Sequence, residues 1–137
     1  MLSAYKNKQV IDILVSGYSE KEKSGLRFSP LFSYIYLKFE DRYLVLNANY
    51  GNITIMEETE LKCYFDIEED DYFTVSSILK HEYGNVIKDI DYFYEKNNLL
   101  RLGMQMQNHY ILFDSLNING FIVGEYKTKV SAIENIE

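Results

Sequence analysis

Residues 32 to 56 constrain the fold more than any other stretch of the chain. Across Phe32 to Phe39, Phe32, Tyr34 and Tyr36 alternate with Ser33, Ile35 and Leu37. A period of two is the repeat of a pleated strand, not of a helix. Asp41 and Arg42 supply a tight turn into YLVLNA, and Asn49-Tyr50-Gly51-Asn52 turns the chain again into ITIM. Turn residues between short β-rich runs join antiparallel strands, so a three-stranded meander is expected here. With 13 Tyr, 8 Phe, one Pro and no Trp, the chain is weighted toward residues that suit a half-buried pleated surface.

The flanking text is more mixed. Ile11, Leu14, Val15 and Tyr18 fit one helical face, and the β-branched run Val10 to Val15 fits a buried strand equally; helix is the preferred reading for residues 2 to 15. SGYSEKEKSGLRFSP, residues 16 to 30, reads as a solvated loop. LKCYFDI at 61 to 67 reads as a fourth short strand. A helix is expected over 74 to 83, with Thr74 as N-cap, Val75, Ile78, Leu79 and Tyr83 on one face, and Gly84 after the last turn. Strands resume in VIKDIDYFY, LLRLGMQM, YILFDSL and FIVGEYK. KNN, QN and Asn119-Gly120 divide them, the last pair favouring a type I′ hairpin turn. The tail VSAIENIE fits a helical turn or a frayed end. These elements add up to an α+β chain, mainly an antiparallel β meander of about eight strands with one or two helices. At 137 residues it is the size of a single domain spanning 1–137.

Several chemistries lack their residues. The seven glycines are scattered, so no loop brings backbone amides together around a phosphate. His81 and His109 have no zincin spacing. The lone Cys63 has no companion for a disulfide or a zinc site, and within an aromatic run it reads as a small buried hydrophobe. Asp66, Glu68 and Asp70 imitate the first ligands of a calcium loop, but Asp71 stands where the turn needs Gly and Ser77 where a bidentate Glu belongs. Asp89 and Asp91 share one face of an expected strand; close carboxylates can split their pKa values for acid and base work, but solvent-facing alternation accounts for them. No cofactor, no metal and no catalysis are expected. No apolar run reaches the roughly 18 residues of a membrane span, and the first residues lack a signal-peptide pattern. A cytoplasmic protein is expected, in which the Asn52-Ile53-Thr54 sequon is incidental.

Charge is the strongly patterned property. EETELKCYFDIEEDD, residues 57 to 71, holds eight acids against Lys62, a net of minus seven that equals the net charge of the whole chain. Like charges within a Debye length, roughly 8 Å at physiological salt, repel one another in the folded state. A partner with a basic surface is the expected counterpart, with Glu57, Glu58, Glu60, Tyr64, Asp66, Glu68, Glu69, Asp70, Asp71 and Tyr72 as binding residues. A solvated acidic loop that aids solubility is the plainer reading of the same residues. Nucleic acid is disfavoured as a direct partner because no basic stripe is present to neutralise phosphates, and no membrane partner is expected.

A small, acidic, Tyr-rich chain of this kind without catalytic motifs resembles the immunity proteins that bacteria pair with secreted or contact-delivered toxins. The resemblance lies in size, charge and composition, and no residue role is carried over by motif. It implies a one-to-one complex in which acidic and aromatic residues cover the basic active site of a cognate toxin, a nuclease. The alternative is a small β-rich structural or regulatory domain that binds a protein or a small ligand.

Overall fold

The computed structural model describes residues 2–79 and 85–136. Alternation along the strands sends successive side chains to opposite faces, and nine strands among the described residues use it to build two antiparallel sheets. β1 (Asp12–Glu22), β2 (Gly25–Lys38), β3 (Tyr43–Ala48), β4 (Ile53–Glu58) and β5 (Tyr72–Ser77) form the first, in the order β4-β3-β2-β1-β5. β6 (Asp89–Glu95), β7 (Asn98–Gln105), β8 (Tyr110–Asp114) and β9 (Ile122–Tyr126) form the second in sequence order. A short 3-10 helix, Leu2–Tyr5, precedes them, and α1, Lys129–Ile136, follows.

The main core lies where the sheets meet. Ile13, Val15, Ile35, Leu37, Leu44 and Leu46 of the first sheet cluster with Leu102, Met104, Ile111 and Phe113 of the second. The intervening positions point the other way, and they too are apolar. Leu14, Tyr36 and Val45 form a second buried cluster on the outer face of the first sheet, covered by Leu61 and Tyr64. On the outer face of the second sheet Tyr110 and Leu112 are buried together with Ala132 of α1. Thr128 caps that helix, its Oγ1 accepting from the Ser131 amide at 3.1 Å in the manner of an N-cap hydroxyl.

The connection between β4 and β5 is long for a topological reason. After four strands in meander order, β5 returns to pair with β1, where Leu14–Ser19 lie opposite Tyr72–Ser77. This is a Greek-key return with an additional strand at the far edge. The connection therefore crosses four inter-strand steps of about 4.8 Å each, roughly 19 Å.

The meander and the strands after residue 89 agree with expectation, as does the antiparallel α+β class; several elements differ. Residues 2 to 15 are a short 3-10 helix and the start of β1, with Val10 and Val15 in the core. Residues 16 to 30, expected as a loop, are paired backbone: β1 and β2 continue to Glu22 and Gly25. At its tip Lys21 to Arg27 are exposed, so that end of the hairpin satisfies its backbone bonds without an apolar face, and its polar text is silent about the pairing. Residues 61 to 67 are not a strand but part of the crossing connection. Residues 74 to 77 of the expected helix belong to β5; the rest of that expectation from Lys80 onward, His81, Tyr83 and Gly84 included, lies outside the described residues. The expected two-residue turn at Asn119-Gly120 is instead part of a seven-residue connection, 115 to 121, between β8 and β9. Gly120 adopts φ 105 and meets the Phe32 carbonyl so closely that a Cβ would overlap it, while the next amide, of Phe121, donates to that oxygen at 2.7 Å.

Gly103 in β7 offers a direct check of the packing. A Cβ there would overlap the Tyr110 hydroxyl, and that side chain is fully buried and donates to Asp91 Oδ2 at 3.0 Å. Gly103→Ala is expected to cost about 1–3 kcal/mol, the usual range for forcing atoms into a packed interior, read as a lower denaturant midpoint. An unchanged midpoint would show that Tyr110 does not lie across Gly103.

Candidate functional site

The crossing connection carries most of the acidic segment, and its anchoring begins at Tyr36. This fully buried phenol donates to the Lys62 carbonyl at 2.7 Å, which ties the connection to the sheet beneath it. Tyr64 then lays its ring on Tyr34, with centroids 5.1 Å apart and planes within 17°, and lies 6.4 Å from the ring of Tyr36. Offset stacking of this kind adds about 0.5–1.5 kcal/mol to the area buried. Further along, Phe65 meets Phe73 of β5 at 5.9 Å. Leu61, Tyr64 and Phe65 of the segment thus pack against the sheet.

The acids divide. Glu57 and Glu58 are neighbours in sequence on β4, and alternation puts them on opposite faces. Glu57 follows Ile53 and Ile55 toward the main core side, where its Oε2 accepts from Arg42 at 3.1 Å. Glu58 follows Met56 to the outer face and lies 2.7 Å from Lys62 Nζ, an ion pair that lacks the alignment of a good hydrogen bond. The contact with Glu58 raises the Lys62 pKa, and burial followed by the Glu58 charge raises that of Tyr64. These two acids are neutralised within the protein.

The remaining acids stand differently. Glu60, Asp66, Glu68, Glu69 and Asp70 are exposed and Asp71 is half-buried; among the described residues none of the six takes part in a salt bridge. Residues 66 to 71 form a turn, closed by the Asp71 amide donating to the Glu68 carbonyl at 3.0 Å, that presents five carboxylates and no base. Ile67 and Tyr72 flank them with 37% and 47% of their surface exposed. Lys21, from the hairpin arm, lies 6.0 Å from the centre of the Tyr72 ring, a cation–π distance.

The structure therefore assembles part of the expected binding set. Asp66, Glu68, Glu69, Asp70, Asp71 and Tyr72 share one exposed turn and the strand start beside it. Glu57 belongs to another face, Glu58 is half-buried, Glu60 stands apart at the start of the connection, and Tyr64 is spent on anchoring. Sequence reasoning missed Tyr34 and Tyr36, the residues that hold the acidic turn in place. Their alternation with Ile35 and Leu37 was legible, but a tyrosine on the outer face reads as solvent-facing unless the crossing connection is known.

Other candidates also find their places. Cys63, expected as buried, is exposed and donates its thiol to the Phe65 carbonyl at 3.2 Å. Asp91 accepts from Tyr110 and pairs with Lys129 at 3.0 Å, while Asp89 lies 3.7 Å from Lys6. Among the described residues no group of His, Cys, Asp and Glu is arranged to hold a metal, and no helix is long and apolar enough to cross a membrane. No family model, curated protein or solved structure matches the chain.

Two outcomes test the anchoring. Burial pushes the Tyr36 phenol from its ordinary 10.0 up to about 12, and burial raises Tyr5, Tyr64 and Tyr110 in the same direction. A phenol held protonated more tightly in the folded state stabilises fully below its unfolded pKa and loses that contribution as pH rises through the folded value. The denaturant midpoint is therefore expected to fall between pH 10 and about 12, and Tyr36→Phe to reduce that slope. Tyr64→Ala is expected to destabilise by about 2–4 kcal/mol, below the roughly 3–5 kcal/mol for truncating a fully buried aromatic because Tyr64 is half-buried, with faster proteolytic cleavage within residues 59 to 71. Unchanged cleavage would show that Tyr64 does not hold the connection.

Proposed function

We propose that this chain is an immunity protein that binds a cognate bacterial toxin in the cytoplasm and neutralises it by covering a basic active site, that of a nuclease. The observation that carries the reading is the 66 to 71 turn, where five acids and no base stand on a connection pinned by Tyr64 and by the Lys62 carbonyl. Carboxylates that form no salt bridge among the described residues repel one another in the free protein, and a cationic partner relieves that repulsion. Because the connection is already anchored, binding costs little ordering entropy. The clustered field also speeds encounter with a basic surface, and Tyr72 and Ile67 at the edge supply the apolar contact that charge alone lacks.

The test is co-expression with the toxic domain encoded by the neighbouring reading frame, comparing the natural protein with a variant carrying Glu68→Lys, Glu69→Lys, Asp70→Lys and Asp71→Lys. All four positions lie on the turn, away from the core clusters, so the variant is expected to keep its fold and to lose protection, with an association rate at least about tenfold slower. Steered association of the natural protein should also slow as salt is added. A folded variant that protects equally well, or a neighbouring frame encoding metabolic or transport proteins only, would overturn the reading.

A further inference from the structure

The second sheet is left open along β6. Tyr92 and Tyr94 stand opposite Leu102 and Leu99 of β7, and directly opposed residues of an antiparallel pair share a face. Both leucines belong to the main core, so the two tyrosines project on the core side of the sheet, yet they are 44% and 63% exposed. Their rings lie 6.4 Å apart with planes within 17°. β4 is the last strand of the first sheet on that side and packs against β7, so β6 extends past it.

An unpaired strand edge is a row of free backbone N–H and C=O groups, and another strand is what satisfies it. Among the described residues the edge strands are β4, β5, β6 and β9. Charge and length separate them. β4 runs into Glu57 and Glu58, and β5 begins beside the acidic turn, so a copy of this chain brought to either edge meets its own acids. β9 has five residues with Gly124 in the middle. β6 has seven, among them Ile90, Tyr92, Phe93 and Tyr94, the aromatic and β-branched types that favour pairing. Its acids are offset. Asp89 lies 3.7 Å from Lys6 and Asp91 lies 3.0 Å from Lys129; with Glu95, Lys88 and Lys96 the set is four bases against three acids. In a chain of net minus seven, this edge adds no repulsion of its own toward a like copy.

We propose that β6 pairs with β6 of a second copy, antiparallel and about a two-fold axis, joining the two four-stranded sheets into one. An antiparallel pair formed by one strand with itself is self-complementary, as an isologous interface requires. With the axis at Phe93, Tyr92 of each copy stands opposite Tyr94 of the other, and the stacked pair extends into a row of four rings. The same register sets Asp91 opposite Glu95 of the other copy, a like-charged pair that weakens the dimer. The acidic turns lie at the far edges of the first sheets, beside β5, and stay open. The inference goes beyond the toxin reading and does not rest on it.

The test is sedimentation of the full chain over a range of concentrations, with amide hydrogen exchange at the two ends of that range. A monomer–dimer equilibrium with a micromolar dissociation constant is expected, and slower exchange in the dimer at β6 and at no other edge strand. Tyr94→Lys, at an exposed position, should keep the denaturant midpoint of the monomer and weaken the dimer about tenfold, since both tyrosine pairs are lost and edge lysines oppose pairing. Glu95→Lys turns the like-charged pair into an attractive one and should tighten the dimer about threefold. Added salt screens the net charge of each copy and is expected to tighten the dimer, the opposite of its effect on a complex steered to the acidic turn. Failure here is thereby distinguishable from failure of the toxin reading. A chain that stays monomeric at its highest concentration, a dimer that Tyr94→Lys leaves unchanged, a weaker dimer from Glu95→Lys, or protection at β4, β5 or β9 instead overturns the proposal.

Discussion

The first sheet carries apolar side chains on both faces, and most of what distinguishes this protein follows from that. Ile13, Ile35, Leu37 and Leu44 look toward the second sheet, and Leu14, Tyr36 and Val45 look away from it. A sheet in that condition must be covered twice. The second sheet covers one face. Among the described residues no helix lies on the other, and the connection that returns the chain from β4 to β5 covers it with Leu61 and Tyr64.

This double duty explains how a strongly acidic segment can be well placed. A loop of carboxylates has no means of ordering itself, because its charges repel and its backbone prefers water. Here the inward residues Tyr64 and Phe65 are fixed by ring stacking and the Lys62 carbonyl by the Tyr36 hydroxyl, and the acids that follow them are exposed or half-buried. The acidic turn is thus held by the Tyr34–Tyr64 ring pair before it and by the Phe65–Phe73 pair that ties it to β5, with the Lys62–Glu58 ion pair at the start of the connection. Glu57 and Glu58 show the same rule at its sharpest. A strand period of two sends one to a cleft shared with Tyr5 and Arg42 and the other beneath the connection, so a single run of sequence acidity serves two faces.

The second sheet solves its own problem differently. Its outer residues Tyr110 and Leu112 are covered by α1, and Tyr110 fills the space that Gly103 leaves open. Asp91, which in sequence suggested half of a carboxylate pair, ties Tyr110 to Lys129 and so joins strand to helix.

Local pattern determined a good deal: the antiparallel class, the meander from residue 32, the strands after residue 89, and the confinement of excess charge to residues 57 to 71. Each rests on neighbours within a few positions, where period and turn chemistry act. Tertiary structure alone decided the rest. The hairpin arm is invisible in sequence because its pairing satisfies backbone groups and imposes no pattern on exposed side chains. β5 is a strand because β1 offers it an edge distant in sequence, with Ser19 opposite Tyr72 and Leu14 opposite Ser77, and no local propensity records that offer. The sequence by itself placed the acids in one segment; which of them reach solvent depended on Tyr34, Tyr36 and Arg42, residues brought to them only by folding.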